Sequence, residues 1–176
     1  IFITATGTDA GKTYVSALIV KEMREAGYNC GYYKPVLSGV IEENGILQVS
    51  DCNYVVNTAN LPMSANDCVS YWWKEAVSPH LAAKRAGTEI NIEKIKKDFL
   101  EKQKSFDYLL IEGAGGITCP LRLNGNEKYL LKDLIKELNT SIIIVADGGL
   151  GTINSTLLTV EYAKNCGINK IGRAHV

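Results

Sequence analysis

The chain has 176 residues, enough for one domain with a single core, and it is 46% hydrophobic and 22% charged, an ordinary globular composition. Nineteen Lys and Arg balance nineteen Asp and Glu, so bulk charge makes no case for nucleic acid or an anionic membrane as partner. Cys30, Cys52, Cys68, Cys119 and Cys166 are odd in number, scattered and without a CxxC pair. That argues against a disulfide framework or a zinc site and suits a reducing, cytoplasmic setting. No apolar run is long enough to span a bilayer, and no charged-then-apolar leader is visible.

Taken in chain order, the apolar run 1–5 predicts a buried strand. Residues 12–26 predict a helix, with Val15, Leu18, Ile19 and Met23 at helical spacing and Gly27 just past its end. A short second strand is expected at 30–33, and a helix opening at 51–57. Residues 89–104 predict an amphipathic helix with Asn91 as N-cap and Ile92, Ile95 and Phe99 as its apolar stripe. A buried strand follows at 108–111, then a helix at 128–138. The most strand-like run is 141–145, and a final helix is expected at 152–165. Strands that alternate with helices and are apolar on both faces predict an α/β fold, a parallel sheet covered by helices on both sides. Ligands of such sheets bind beyond the carboxyl ends of the strands.

The strongest motif lies there. Gly11-Lys12-Thr13 follows a strand and opens a helix, as a phosphate-binding loop requires. Gly11 admits close backbone approach, and the helix N-terminus offers free N–H groups and a positive dipole end. Lys12 supplies a cation to the outer phosphates and Thr13 a hydroxyl to Mg²⁺. The loop departs from the usual spacing: the first-glycine position holds Thr6, and Gly7 is one residue too close. Lys34 is expected at the end of the second strand, where Pro35 holds it extended. Glu112 ends the strand at 108–111 and precedes Gly113-Ala114-Gly115-Gly116, the place of a Mg²⁺-holding carboxylate. Asp51 is read either as a metal ligand or as a helix N-cap. His80, in Ser78-Pro79-His80, reads by itself as a surface loop residue. Gly148 to Thr152 reads as a loop leaving a helix N-terminus open to an anion, or as a flexible loop with Thr152 as N-cap. Trp72-Trp73 beside Tyr71 reads as packing.

Taken together these motifs resemble the dethiobiotin synthase family of P-loop proteins, over almost the whole chain. The segments that carry the resemblance are Thr-x-Thr-Gly-Thr-Asp-x-Gly-Lys-Thr at 4–13, Gly-Tyr-Tyr-Lys-Pro-Val-x-Ser-Gly at 31–39 and Ser-Asp at 50–51. Ser-Pro-His at 78–80, Glu-Gly-Ala-Gly-Gly at 112–116 and Gly-Leu-Gly-Thr-Ile-Asn at 149–154 complete it. The resemblance implies an ATP-dependent ligase that joins 7,8-diaminononanoate and CO₂ to give dethiobiotin, ADP and phosphate in biotin biosynthesis. It implies that Thr8, Asp9, Ala10, Gly11, Lys12, Thr13, Glu112 and Gly115 surround the ATP phosphates, and that Thr13, Asp51 and Glu112 hold Mg²⁺. Lys12, Lys34, Thr8 and Ser38 would serve catalysis, with Lys34 and Ser38 on the carbamate. A homodimer is implied, with Gly149, Leu150, Gly151, Thr152 and Asn154 of one subunit receiving the carboxylate tail of the other's substrate. No nucleic-acid or membrane partner is expected.

Two rival readings are a MinD/ParA-like ATPase switch and a cobyrinate or cobyric acid synthase-type amide ligase. The first places a signature Lys early in its phosphate loop, where this chain has Ala5, Thr6 and Gly7; the second normally carries a glutaminase domain, for which 176 residues leave no room. The synthase domain is expected to occupy 1–170, with nucleotide-base contacts lying beyond it. Residues 171–176, Ile-Gly-Arg-Ala-His-Val, back-translate to a common sequencing-adapter sequence and are expected to be non-native.

Overall fold

The computed structural model describes residues 1–43, 45–125 and 127–175. Its elements run β1 (Phe2–Ala5), α1 (Lys12–Glu25), β2 (Cys30–Ser38), β3 (Ile41–Glu43), β4 (Ile46–Gln48), α2 (Ser50–Thr58) and β5 (Val69–Trp73). They continue with α3 (Pro79–Arg85), α4 (Ile92–Gln103), β6 (Tyr108–Glu112), β7 (Pro120–Asn124) and β8 (Glu127–Leu130). The last are α5 (Leu131–Glu137), β9 (Ile142–Ala146), α6 (Thr152–Asn165) and β10 (Lys170–His175). A 3₁₀ turn, Ala65–Cys68, leads into β5.

Six strands form one parallel sheet in the order β10-β9-β1-β6-β2-β5. The alternation of side chains along each strand divides its residues between two cores. Ile3 and Ala5 of β1, Tyr32, Leu110 and Val145 face Val15, Ala17 and Val20 of α1 and Cys52 and Val55 of α2. Phe2, Tyr33, Leu109, Ile111, Ile142 and Ile144 face the opposite layer, with Ile95 and Phe99 of α4, Leu134 and Ile135 of α5, and Val160 and Ala163 of α6. The expected α/β architecture is therefore present, and both sheet faces are buried because both faces of each central strand are apolar.

Three local expectations need correction. The second strand does not stop at Tyr33. Residues 30–33 pair with β6, and from Lys34 to Ser38 the strand pairs with β5 instead. Pro35 is tolerated there because the strand has left one neighbour, the edge-like setting in which a missing N–H does little harm. The expected helix at 128–138 is strand β8 followed by the shorter α5. Residues 127–130 pair antiparallel with β7 across a turn containing Gly125 at φ 58°, a pairing that overrides local helical spacing. His80 is in α3, half-buried, and not in a loop. Other readings match: Asn91 caps α4 by accepting from the Lys94 N–H at 3.2 Å, and α6 spans the expected residues. Trp73 is buried and stacks on Tyr71 at 5.9 Å between ring centroids, while Trp72 is exposed. Residues 170–175 pair with β9, and residue 176 lies outside the described residues.

Gly113, just after β6, is required by packing. A Cβ there would lie 2.6 Å from Leu131 Cδ2 and 2.9 Å from Phe2 Cε1. Gly113→Ala is expected to destabilise the fold by about 1–3 kcal/mol, the usual range for overpacking a filled core, read as a lower urea midpoint at unchanged slope.

Candidate active site

The phosphate loop is shaped by backbone before any side chain acts. Asp9 has φ 57° and Gly11 φ 84°, both left-handed, so the chain coils tightly between β1 and α1. Asp tolerates that region better than most residues, and Gly occupies it freely. Gly11 is the N-cap of α1 and offers no side-chain cap, which leaves the first N–H groups of the helix open to an anion. Lys12 is buried and folds back, donating from Nζ to the Gly7 carbonyl at 3.0 Å. Burial first, and then the Lys34 cation, hold its pKa below the ordinary lysine value. The loop after Glu112 presses on this turn: a Cβ at Gly116 would lie 3.2 Å from the Ala5 carbonyl oxygen.

Beside the loop sits a buried charge cluster. Glu112 ends β6 with 0% of its surface exposed. Its Oε1 accepts from Thr13 Oγ1 at 2.8 Å and from Lys34 Nζ at 2.6 Å. Its Oε2 accepts from Tyr32 Oη at 2.9 Å. Lys34 Nζ also donates to Asp51 Oδ2 at 2.5 Å. Burial alone would lower the Lys34 pKa, but Glu112 and then Asp51 outweigh it and hold it above the ordinary value, so Lys34 is a permanent cation at neutral pH. Asp51 lies in the first turn of α2, whose N-cap is Val49, so the reading of Asp51 as N-cap is overturned. Its carboxylate accepts instead from the Lys34 ammonium, a charge-assisted hydrogen bond.

These groups line a cleft of about 700 Å³. Thr8, Asp9, Gly11, Lys12, Thr13, Lys34, Ser38, Asp51, Glu112 and Gly115 all border it, together with Tyr14, Ser78, Pro79 and Cys119. Ala10 is buried beneath the loop. Cys119 stays a thiol, its pKa pushed up to about 11 by burial. The segment from Gly149 to Asn154 is outside this cleft. There Gly151, at φ 91°, and not Thr152, is the N-cap of α6, and Leu150 and Ile153 are fully or largely exposed. Tyr32 is the site residue that sequence reasoning missed. Its signal was parity: Tyr32 and Lys34 are two apart on one strand, so they share a face.

The donor set fits Mg²⁺. Thr13, Glu112 and Asp51 supply one hydroxyl and two carboxylates, all hard oxygens; the carboxylates meet at the Lys34 ammonium and the hydroxyl meets Glu112. Among the described residues no cluster of three or more His, Cys, Asp or Glu offers a metal an all-protein cage. Mg²⁺ needs none, since it binds through one or two carboxylates, waters and substrate phosphates.

A parallel sheet with a phosphate loop after its central strand defines a P-loop nucleotide-binding domain. Residues 1–174 match the family model described as an AAA domain. Two solved structures share the fold: the kinase domain of the Escherichia coli tyrosine kinase ETK and the chimerical protein CapA2B2. The first has TM-score 0.52 at 12% identity, over 99% of this chain and 65% of that one. The second has TM-score 0.53 at 11% identity, over 99% and 74%. Function follows a closer likeness. The ATP-dependent dethiobiotin synthetase BioD of Clostridium botulinum strain Langeland is 54% identical over 169 residues, 96% of this chain and 74% of that protein. The enzyme of the same name from strain Alaska E43 is 50% identical over 173 residues, 97% and 76%. The chain belongs to the ATP-dependent dethiobiotin synthetase family, and it is a ligase. The ATPase-switch and amide-ligase readings give way to it.

Lys34→Met leaves Glu112 buried without its cation and is expected to cost about 3–5 kcal/mol of stability in denaturant unfolding, as breaking a buried pair does. Because the folded pKa of Lys34 is raised, its contribution is complete below the ordinary lysine pKa and is lost as pH rises through the folded value. The difference between wild type and variant should therefore shrink only in strong alkali. Lys12→Met removes a cation whose charged form burial disfavours, so a much smaller loss, or a gain, is expected in the apo protein.

Proposed function

We propose that this cleft carries out MgATP-driven carboxylation and ring closure of 7,8-diaminononanoate with CO₂, giving dethiobiotin, ADP and phosphate. The observation that supports this beyond family membership is Lys34. A nucleotide switch needs the phosphate loop and a metal; a second cation, locked between Asp51 and Glu112 on the cleft wall, suits a reaction that joins a carboxylate to a phosphate. One amine adds to CO₂ as a carbamate. A carbamate oxygen attacks the γ-phosphorus and ADP leaves, giving a carbamic-phosphoric anhydride. The second amine attacks its carbonyl carbon and expels phosphate. Such transfer is served by positioning and charge neutralisation.

In this reading the open N–H groups at the start of α1 and the Lys12 ammonium hold the β- and γ-phosphates. Lys12 must leave the Gly7 carbonyl to do so, exchanging a neutral acceptor for a charged one. Lys34 holds the carbamate and the charge that develops as its oxygen attacks. Thr8 and Ser38, which border the cleft, hydrogen-bond the carbamate or neighbouring substrate atoms. Thr13, Asp51 and Glu112 would hold Mg²⁺, which would supply positive charge to neutralise the phosphates.

We also propose a homodimer in the cytoplasm. Ile153, Leu157 and Leu158 of α6, with Leu150 before it, expose a run of apolar surface. Beside it, the start of α6 has no side-chain cap and lies outside the chain's own cleft, an arrangement suited to receive the carboxylate tail of a substrate bound by a second subunit. No described helix is long and apolar enough to cross a membrane.

Phosphate release with MgATP and bicarbonate, with and without the diamine, tests the reaction. Release that requires the diamine, and is lost in Lys34→Ala at a temperature where that variant is folded, is the expected outcome; release indifferent to the diamine refutes it. Ile153→Glu with Leu157→Glu is expected to convert a dimer to a monomer in sedimentation velocity and to remove diamine-dependent release. Nucleotide binding should stay unchanged.

A further inference from the structure

The Glu112 carboxylate has a problem that family membership does not solve. The terminal torsion of a Glu side chain is broad and roughly two-fold, so nothing intrinsic decides which oxygen faces the nucleotide. Here the two oxygens are treated differently. Oε1 takes both the Thr13 hydroxyl and the Lys34 ammonium, and Oε2 takes Tyr32 alone. Tyr32 and Lys34 lie on the same face of β2, and Glu112 is two residues past Leu110, the register partner of Tyr32 on β6. One strand thus sends two donors to one carboxylate, a neutral one to the inner oxygen and a charged one to the outer.

We propose that Tyr32 is a positioning residue for the ligase reaction: its buried hydroxyl fixes the rotation of the Glu112 carboxylate, so that Oε1 is presented to Thr13, Lys34 and the nucleotide side of the cleft. The inference rests on the reading of Glu112 as a group that serves MgATP. A neutral donor suits the inner oxygen, because a second cation there would compete with Lys34 for the carboxylate charge. The pair is also isolated. Tyr32 is fully buried, and Oε2 has no other donor among the described residues. Removal of the hydroxyl alone leaves the ring in place and Oε2 unpaired, so the carboxylate is held through Oε1 only and can pivot about its bonds to Thr13 and Lys34.

The test is Tyr32→Phe in the full protein, read by binding of a fluorescent ATP analogue across a Mg²⁺ titration and by diamine-dependent phosphate release. The Mg²⁺ concentration for half-maximal tightening of nucleotide binding should rise about tenfold, as for other partners that orient a metal-binding group. Binding in EDTA should change less than about twofold, kcat should fall about tenfold, and KM for the diamine should stay constant. In a Glu112→Gln background Tyr32→Phe should add nothing to the Mg²⁺ shift, the non-additivity of two residues acting as one. A lowered melting temperature with an unchanged Mg²⁺ half-point and kcat, or full additivity with Glu112→Gln, overturns the proposal. A second readout leaves Tyr32 intact: in protein labelled at the tyrosine ζ-carbon, the Tyr32 signal should move in Glu112→Gln, and an unmoved signal also overturns it. Should wild type release phosphate without the diamine, the reaction assignment fails, while the Mg²⁺ titration still decides the role of Tyr32.

Discussion

A lysine and a glutamate meet inside the sheet, at 3% and 0% exposure, and the rest of the site is arranged around them. Neither charge is tolerable alone in that position. Glu112 ends β6 and Lys34 lies in β2, so their meeting requires the two strands to be adjacent and in register. It also requires α2 to bring Asp51 to the same nitrogen and α1 to bring Thr13 to the same carboxylate oxygen. Four elements distant in sequence are held to one geometry around a buried Lys34 and Glu112, with Asp51 and Thr13 at the edge of the cleft.

That constraint prepares the site at some expense in folding stability. A buried ion pair is no cheaper than an apolar pair of equal volume, and often dearer. What it supplies is orientation. Lys34 is permanently charged and has few rotations left, because two carboxylates hold it. Lys12 is the opposite case: one carbonyl holds it, and burial disfavours its charge. In the proposed reaction an arriving triphosphate would relieve that condition at Lys12, and Lys34 would meet a second, smaller anion.

Glycines set how closely these parts approach. Gly113 has no room for a Cβ between Leu131 and Phe2, and Gly116 lies against the phosphate loop itself. The segment after Glu112 therefore braces the turn after β1, and the Glu112 end of one strand is coupled through backbone contact to the phosphate loop that follows its neighbour. Substitutions here should act on both at once.

Much of this was legible in the sequence for local reasons. The strand, Gly-Lys-Thr and helix order identifies a phosphate loop, because backbone N–H groups at a helix start need no distant partner. The apolar runs at 108–111 and 141–145 announce buried parallel strands. Lys34, Asp51 and Glu112 were each visible as candidates, but the sequence left Asp51 undecided between cap and ligand. Only the tertiary structure removes the cap reading: Val49 is the cap, and Asp51 bonds a cation 17 residues away in sequence. The same holds for β8, where pairing with β7 overrode a helical spacing, and for β2, which runs on through Pro35 because a new neighbour, β5, takes it up. Tyr32 shows the boundary most clearly. Its parity with Lys34 is written in the chain, but its role depends on an oxygen atom of Glu112, 80 residues away, that only the register of two strands places within reach.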